Sequence, residues 1–543
     1  MNVKRILLRP LARLAALHAG GQLQAFLDAH RQTAAVQDRL LAELLRCHAE
    51  TDFGRDHGFS ALRSYADFTA AVPVGNYETH RPYMDRVWAG RAEALLPPGQ
   101  DVRMFSRTSG TTGQPKHIPV TARFLDEMRR GWNVWGLAAL NDHKAAWLQP
   151  ILQISSPIRQ LDSPTGKPCG AISGLLAATQ KPIVRRMYVV PPAVAAIADP
   201  TTRDYVTLRC GVGRDVAFIT TANPSSTIKL IETGQAHAER LIRDLADGTL
   251  TPPGEISFDI AAVLRFRPKP AKARRIQEGI RRDGQLLPRH FWNIAYLSHW
   301  TGGTLRLYAR RLAELFGPVP VRDIGLLASE GRFSVPLHDG TVAGVAEIMG
   351  NFLEFIPVEE VHKPNPPTFR AHETEVGREY SLVVTNWAGL FRYHMDDRVR
   401  VVDRLGASPV FEFLSRGVHT ANITGEKITE HQVVEAMHRA AAATGAPVER
   451  FVLQGRFATV PFYELRLEPV GADVERLTHA MDEALGELNV EYQSKRSSGR
   501  LGGIRPILLP AGALERAERE QIRLRGGRSE QYKHKYLLTD VLE

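Results

Sequence analysis

The distribution of apolar residues along the chain predicts alternating helices and strands. Residues 21–50 place apolar side chains at helical spacing, namely Leu23, Phe26, Leu27, Val36, Leu40, Leu41, Leu44 and Leu45. The same spacing predicts helices over 122–140, 225–246, 304–316 and 430–444. Short runs rich in β-branched residues predict strands at 102–105, 216–221, 381–385 and 399–402. This alternation over the whole length indicates an α/β fold.

A change of pattern near residues 416–428 predicts a domain boundary. The segment is polar and rich in turn-forming residues, and it separates a pair of predicted strands from a new helix beginning at Glu430. We therefore expect a large N-terminal domain over 1–418, a hinge over 419–428 and a C-terminal domain over 429–543. The last of these has about 115 residues, enough for a small α/β domain.

Composition and charge indicate a globular protein but do not identify its partner. The 543 residues are 43% hydrophobic and 24% charged, which is ordinary for a globular protein with a large core. The net charge of +10 admits nucleic acid, a membrane surface or phosphorylated small molecules as partners, and it does not choose among them. The densest basic run, 265–282, is not accompanied by a known nucleic-acid reader motif, so it is interpreted as a solvated helix face.

Cysteine spacing and the N-terminus bear on the compartment. The three cysteines, Cys47, Cys169 and Cys210, lie far apart and form no CxxC pair, which argues against a zinc ribbon or a disulfide framework and favours a reducing cytoplasm. Basic residues and a proline interrupt residues 1–21, so this stretch is interpreted as an amphipathic start rather than a signal peptide. The sequence contains no run of about 20 apolar residues, so no transmembrane helix is predicted.

The first chemical motif is a loop of small and hydroxylated residues after the strand at 102–105. It contains Thr108, Ser109, Gly110, Thr111, Thr112, Gly113 and Lys116. Glycines let backbone N–H groups surround an anion, hydroxyls add donors, and the lysine adds a charge. Pro115 stands where a Walker A loop needs its second glycine, and 117–121 predicts a strand rather than a helix, which disfavours a P-loop. A polar hairpin turn remains the alternative.

The loop resembles the phosphate-binding loop of the adenylate-forming superfamily, which includes acyl-CoA synthetases, luciferases and peptide-synthetase adenylation domains. The segment 324–331 resembles the second nucleotide motif of that superfamily. The resemblance implies that Ser329 and Glu330 lie at the nucleotide, with Glu330 serving Mg²⁺ on the triphosphate directly or indirectly. Leu326 stands where the superfamily often has a tyrosine against adenine.

Two further segments resemble later motifs. In 389–400 the resemblance implies that Asp397 binds the ribose hydroxyls of ATP, and Asp396 replaces the usual glycine beside it. The segments 413–416 and 423–428 resemble the hinge, which implies that Arg416 contacts the nucleotide. Rotation about this hinge is expected to separate two half-reactions.

Within the superfamily, the chain from about residue 45 to its end resembles the auxin-responsive promoter family of acyl acid amido synthetases. The matching segments are 51–54, 57–59, 68–74, 86–90, 223–225, 380–393, 491–496 and 528–533. The resemblance implies that Lys533 is the adenylation lysine, on a small C-terminal domain that closes over the site. Lys427 is the rival, although a hinge position favours a mechanical role. After Lys533 the chain lacks the proline that the family often has there.

The resemblance implies an enzyme that uses ATP and Mg²⁺ to join a carboxylic acid to an amine, commonly an amino acid, through an acyl-adenylate. No nucleic-acid partner is expected. A thioester-forming ligase on the same fold, a nucleotide-binding relative without turnover and a basic surface-binding protein remain alternatives. Trp132, Trp135, Trp147 and Phe218 are candidates for the acid pocket, although core packing is the simpler interpretation. His394, His419 and His534 lie near motifs, and each is interpreted as structural or solvated.

Overall fold

A computed structural model of the protein describes most of the chain. The described residues are 20–108, 116–302, 308–417, 420–421, 423–424, 426, 428–458, 460–469, 471, 473–497, 501–524 and 534–542. The chain divides into two compact units. The first is formed by Met1–Trp300 and Ala313–Phe413, and the second by Thr301–Leu312 and Leu414–Glu543. The amphipathic start predicted for residues 1–21 lies outside the described residues, except for its last two positions.

The helices follow the predicted periodicity closely. In chain order they are α1 (described over 20–29), α2 Thr33–His48, α3 Asp52–Asp56, α4 Tyr65–Ala71, α5 Tyr77–Trp88, α6 Ala122–Asp142, α7 Ile172–Ala178, α8 Pro182–Arg185, α9 Pro200–Val212, α10 Pro224–Ala236, α11 Ala238–Asp247, α12 Phe258–Val263, α13 Pro270–Asp283, α14 Ala309–Phe316, α15 Glu430–Thr444, α16 Val474–Leu488, α17 Val490–Ser497 and α18 Ala513–Leu524. The single helix predicted over 225–246 is wrong in one respect, because the backbone leaves the helical region at His237 and two helices result.

The strands are short except in one large sheet. They are β1 Val102–Thr108, β2 Lys116–Thr121, β3 Ile151–Gln153, β4 Leu161–Asp162, β5 Pro168–Gly170, β6 Phe218–Thr220, β7 Tyr296–His299, β8 Val321–Asp323, β9 Leu327–Ala328, β10 Gly331–Arg332, β11 Ser334–Val335, β12 Gly344–Ala346, β13 Asn351–Pro357, β14 Phe369–Arg370, β15 Glu379–Asn386, β16 Leu390–Leu405, β17 Ser408–Arg416, β18 Thr420–Ala421, β19 Ile428–Thr429, β20 Phe451–Arg456, β21 Phe462–Leu467, β22 Arg505–Leu508 and β23 Leu537–Leu542. Strands and helices mix throughout both units, which confirms the predicted α/β class.

Three larger sheets build the first unit. The largest runs β11-β12-β17-β16-β15-β13-β14, and β13 is buried along its whole length. A second sheet, β3-β6-β7-β8, pairs its strands in parallel, and a third runs β2-β1-β5-β4. The carboxyl ends of parallel strands are the usual place for ligands in α/β proteins. The carboxyl end of the parallel sheet is therefore a candidate ligand site.

The second unit has a core of its own. Its sheet runs β22-β21-β20-β23, and its buried side chains come from this sheet and from α15 and α16, including Val433, Met437, Leu453, Leu465 and Met481. Thr429 caps α15 by accepting a hydrogen bond from the backbone N–H of Gln432, and Gly445 ends that helix in the left-handed conformation. Among the described residues, no helix has both the length and the apolar content needed to cross a membrane.

The early signature at 51–54 has a structural explanation. The Thr51 hydroxyl accepts a hydrogen bond from the Gly54 N–H at 2.9 Å and caps α3, while buried Asp52 pairs with Arg86 at 2.7 Å. A side chain at position 54 would collide with the carbonyl oxygen of His48, 2.0 Å from where its Cβ would lie. These residues therefore fix the packing of α2, α3 and α5 rather than form a binding site.

Two other features of the sequence also have structural roles. Asn223 caps α10 by accepting a hydrogen bond from the Ser225 N–H at 2.9 Å, and Pro224 occupies the first helical position, where a missing N–H costs nothing. The basic run at 265–282 contains most of α13, whose Ala273, Ile276 and Gly279 are buried while its arginines face outward. The interpretation of this run as a solvated helix face is therefore confirmed.

Acid is expected to destabilise the first unit through His48 at the end of α2. This side chain is fully buried, and burial lowers its pKa to about 4. Since the unfolded value is 6.5, the unfolded chain binds the proton more readily between those pH values. Above pH 6.5 this group does not lower the free energy of unfolding. As the pH falls below 6.5, protonation of His48 in the unfolded chain lowers that free energy, by about 2 kcal/mol at pH 5.

Urea unfolding at pH 7.5 and pH 5, followed by tryptophan fluorescence, measures this loss. His48→Gln does not titrate and should flatten the pH dependence by about 2 kcal/mol. The control is His479→Gln, since His479 is mostly exposed. If the free energy of unfolding depended on pH equally in His48→Gln and in the unaltered protein, His48 would not be the group responsible.

Candidate active site

The glycine- and hydroxyl-rich loop connects two paired strands. β1 and β2 are antiparallel, and their register places Thr108 opposite Lys116. The residues between them, including Ser109, Gly110, Thr111, Thr112 and Gly113, lie outside the described residues, and only the backbone of Thr108 is described. The strand predicted for 117–121 is confirmed, so the rejection of a Walker A loop followed by a helix agrees with the fold.

Lys116 lies at the start of β2 among aromatic rings. Its Nζ donates a hydrogen bond to the hydroxyl of Tyr393 at 3.1 Å. The same ammonium lies 5.5 Å from the ring centroid of Tyr77 and 5.7 Å from that of Tyr393. Cation–π attraction and the hydrogen bond hold a positive charge beside the predicted nucleotide loop.

Ser329 and Glu330 occupy the turn between the short strands β9 and β10. Ser106 on β1 donates a hydrogen bond from its hydroxyl to that of Ser329 at 2.8 Å. The Tyr393 hydroxyl donates to Glu330 Oε1 at 3.5 Å, and Asn386 Nδ2 donates to the Glu330 carbonyl at 2.7 Å. Glu330 itself is fully buried.

Lys116, Tyr393 and Glu330 therefore form one hydrogen-bonded chain of a cation, a phenol and a carboxylate. Three sequence-predicted site residues meet here: Lys116, Ser329 and Glu330. No sequence motif assigned a role to Tyr393, which joins two of them. Its place in the motif 380–393 was a signal, but the link spans 277 residues and no local pattern reveals it.

Asp397 and Asp396 point to different environments. Ser381 pairs with Arg398 and Val383 with His394, so β16 bulges by two residues between these pairs. At the bulge Asp396 adopts φ +65°, the left-handed region that favours glycine, and its side chain is exposed. Asp397 is buried.

The bulge places the two adjacent carboxylates in different environments. Asp396 keeps the backbone shape of the glycine that the motif usually has, because aspartate tolerates the left-handed region better than most residues. Its carboxylate faces solvent, whereas that of Asp397 is held inside. The predicted ribose residue is therefore the inward one.

Leu326 and His394 are structural. Leu326 is buried in the main core of the first unit. His394 shares a hydrogen bond of 2.7 Å with the Ser381 hydroxyl, and burial lowers its pKa. In the second unit, His534 interacts with the Phe451 carbonyl at 2.9 Å, and burial again lowers its pKa. The structural interpretation holds for both of these histidines.

The remaining predicted residues are not placed by the structure. Lys533, Lys427 and His419 lie outside the described residues. Arg416 ends β17, and only its backbone is described. The roles given to these residues therefore stay predictions.

The four aromatic candidates for an acid pocket separate into two groups. Phe218 is buried on β6 and stacks on a tyrosine ring, and Trp135 is buried with its indole N–H donating to the Asp323 carbonyl at 2.8 Å. Both belong to the core. Trp132 is only partly buried and lies edge-on to Trp135, and Trp147 is likewise partly buried.

Comparison with solved structures identifies the class of fold as that of the adenylate-forming ligases. The chain matches "AtGH3.15 acyl acid amido synthetase in complex with 2,4-DB" with a TM-score of 0.84 at 21% identity, covering 97% of this chain and 95% of that one. It also matches 2-hydroxyisobutyryl-CoA ligase in its postadenylation state, with a TM-score of 0.54 at 15% identity and coverage of 93% and 89%. The predicted fold is confirmed.

The family follows from the sequence comparisons. The chain matches the GH3 family N-terminal domain over residues 22–321, the central domain over 345–416 and the C-terminal domain over 431–541. It belongs to the GH3 family, which confirms the resemblance found in its motifs.

Curated relatives carry names that agree with the predicted type of reaction. Indole-3-acetic acid-amido synthetase GH3.8 of Oryza sativa subsp. indica is 27% identical, over 89% of this chain and 84% of its own length. Jasmonoyl-L-amino acid synthetase JAR6 of Nicotiana attenuata is 22% identical, over 91% and 89%. These relatives confirm the prediction of an amide-forming ligase.

Proposed function

We propose that this protein is an ATP-dependent acyl acid amido synthetase. It activates a carboxylic acid as the acyl-adenylate with release of pyrophosphate, and an amine, such as the amino group of an amino acid, then displaces AMP to form the amide. The observation that carries the proposal is the Lys116–Tyr393–Glu330 chain beside the nucleotide loop, in a member of the GH3 family.

The first half-reaction must bring two anions together. The carboxylate attacks the α-phosphate of ATP, so the site has to offset repulsion between acid and triphosphate and then stabilise the departing pyrophosphate. We assign Lys116 to this task as a fixed positive charge. Tyr393 accepts its hydrogen bond and so sets the position of the ammonium relative to Glu330.

Glu330 suits a Mg²⁺ ion that is shared with the substrate. The described residues contain no group of three or more side chains able to hold a metal, and Glu330 is a single buried carboxylate. Mg²⁺ commonly takes one or two protein carboxylates and fills its other positions with phosphate oxygens and water. Bound in that way, it would neutralise charge on the triphosphate.

The other assigned residues complete the nucleotide site in this proposal. Backbone and hydroxyl donors of Thr108, Ser109, Gly110, Thr111, Thr112 and Gly113 bind the phosphates, with Ser329 held alongside by Ser106. Asp397 accepts hydrogen bonds from the ribose, Arg416 contacts the nucleotide, and Lys533 stabilises the adenylation transition state. Residues 1–418 then form the nucleotide- and acid-binding domain, 419–428 the hinge and 429–543 the C-terminal domain.

Pyrophosphate release tests the function as a whole. The full chain is incubated with ATP, Mg²⁺ and a panel of carboxylic acids, each with the common amino acids or with coenzyme A. We expect release that depends on the acid, and an amide product only when an amino acid is present. Thioester without amide would replace the proposal with a CoA ligase, and no release with any acid would refute it.

Asp397→Asn is expected to weaken ATP binding about 10- to 100-fold. The substitution keeps the size of the side chain but removes the charge that accepts hydrogen bonds from the ribose, and such bonds contribute about 1.5–3 kcal/mol. Isothermal titration calorimetry with a nonhydrolysable ATP analogue measures the change. Asp396→Asn is the matched control, because that neighbouring side chain is exposed and asparagine also accepts the left-handed backbone. Equal affinities for both variants would remove Asp397 from the ribose site.

A further inference from the structure

Arg332, on strand β10, lies just past the carboxyl ends of two strands of the parallel sheet. β7 and β8 pair so that His299 lies opposite Asp323, and the Ile324 N–H donates to the His299 carbonyl at 3.1 Å. Arg332 Nη2 donates to the Ile324 carbonyl at 2.7 Å. Its guanidinium therefore occupies the edge of the sheet at which α/β folds usually bind ligands.

The guanidinium of Arg332 is buried and only partly hydrogen-bonded. The residue is 2% exposed, and its central carbon lies 4.5 Å from the ring centroid of Trp132 on α6. Within the part of the chain that the structure describes, Arg332 Nε, Arg332 Nη1 and the indole Nε1 of Trp132 are buried and have no hydrogen-bond partner. Buried polar groups are nearly always paired, so these three donors are available to an acceptor.

The helix α6 is shaped to accept this side chain. A Cβ on Gly131 would lie 2.5 Å from Arg332 Cδ, so only glycine lets the helix pass so close to the arginine. The acidic groups that face Arg332 are Glu347 and Asp323, which act on it through charge at longer range, while burial lowers its pKa to about 9. No carboxylate among the described residues forms a salt bridge or a hydrogen bond with it.

Another buried arginine of the same unit shows the contrast. Arg322 uses all three nitrogens: Nε donates to Asp339 at 2.5 Å, Nη1 donates to the Leu337 carbonyl at 2.8 Å, and Nη2 pairs with Asp142. Arg322 is thus fully paired. Arg332 is similarly buried but has two nitrogens without a hydrogen-bond partner, which distinguishes it from Arg322.

We propose that Arg332 and Trp132 bind a second carboxylate of the acyl acid, distinct from the one that is adenylated. This assignment rests on the proposed function and names its substrate class: acids with two carboxylates separated by an apolar spacer. A carboxylate supplies both the negative charge and the acceptor atoms that the guanidinium and the indole N–H lack. The spacer suits the apolar character of this region, since Trp132 packs against an apolar cluster that includes Ile324.

The wild-type enzyme tests the assignment without any substitution. Acid-dependent ATP–pyrophosphate exchange is measured in the absence of an amine, with linear dicarboxylates of four to ten carbons and with terephthalate. Each is compared with the monocarboxylate of the same skeleton and with its monomethyl ester. We expect kcat/KM at least tenfold higher for the best dicarboxylate than for both analogues. A preference for monocarboxylates across the whole series would overturn the assignment.

Substitutions then locate the effect. Arg332→Met should lower kcat/KM for the dicarboxylate at least tenfold and leave the monocarboxylate unchanged, Arg332→Lys should recover part of the loss, and Trp132→Phe should reduce the same preference. Arg240→Met, at an exposed position on α11, is the control. If Arg332→Met instead left exchange unchanged and raised only the KM of the amino acid in a separate assay of amide formation, Arg332 would bind the carboxylate of the amine and the assignment would be wrong.

The outcomes separate this assignment from the function on which it rests. Exchange with monocarboxylates but without a preference for dicarboxylates removes the role of Arg332 and leaves the ligase intact. No exchange with any acid removes both. If Arg332→Met does not fold, the wild-type series and Trp132→Phe still decide the question.

Discussion

Replacing Glu330 with glutamine is expected to lower acid-dependent ATP–pyrophosphate exchange about 10²–10³-fold, the usual cost of losing one electrostatic stabiliser of a transition state. The amide has the same shape and still accepts the hydrogen bond from Tyr393, so the fold of the turn between β9 and β10 should persist. What is lost is the charge that we assign to Mg²⁺ on the triphosphate. The concentration of Mg²⁺ that gives half-maximal exchange should therefore rise as well.

Glu375→Gln is the control for this loss, since Glu375 is an exposed carboxylate of the same unit. Unfolding temperatures of both variants should equal that of the unaltered protein within a few degrees. Tyr393→Phe gives an intermediate test, because it removes the hydroxyl between Lys116 and Glu330 but neither charge. Exchange by Glu330→Gln at the unaltered rate and Mg²⁺ dependence would show that this carboxylate has no part in adenylation.

Replacing Arg392 with methionine is expected to destabilise the first unit by about 3–5 kcal/mol, the cost of leaving a buried charge without its partner. Arg392 lies on β16 and pairs with the fully buried Glu354 at 3.0 Å. It also donates to the Val72 carbonyl at 2.9 Å and to the Thr368 hydroxyl at 2.8 Å. One side chain thus joins the large sheet to α4 and to the segment before β14.

Denaturant unfolding of Arg392→Met measures this free energy. The matched control is Arg400→Met on the same strand, where the Arg400 side chain is 38% exposed and pairs with Glu379 at 2.7 Å. Exposed pairs contribute about 0.2–1 kcal/mol, so the control should stay near the unaltered protein. Glu354→Gln combined with Arg392→Met should recover part of the loss. Equal destabilisation by the two arginine variants would show that burial of the pair is not what matters.

Local patterns predicted the elements, and tertiary contacts determined how the site is assembled. The apolar spacing of α2 and α6 and the β-branched runs of β1 and β15 are visible in the sequence, and the structure agrees with them. Motifs found Lys116 and Glu330 one by one. The hydrogen bond between Ser106 and Ser329 spans 223 residues, and such pairing depends on the fold as a whole.

Features missed by the sequence analysis share a physical cause. Arg332 looks like an ordinary charged residue after a motif, and only its burial with two unpaired nitrogens distinguishes it. The left-handed backbone at Asp396 is invisible until the register of β15 and β16 is known. Conversely, Asn223 belongs to a recognisable signature, yet its contact is the cap of a helix.

The position of oxygen atoms after turnover tests the central claim most directly. An acid labelled with ¹⁸O in its reacting carboxylate is incubated with the protein, ATP, Mg²⁺ and an amino acid, and the products are resolved by mass spectrometry. Attack of the carboxylate on the α-phosphate, followed by displacement by the amine, leaves one labelled oxygen in AMP, one in the amide and none in pyrophosphate. Label in inorganic phosphate together with ADP, or unlabelled AMP beside the amide, would contradict the acyl-adenylate route.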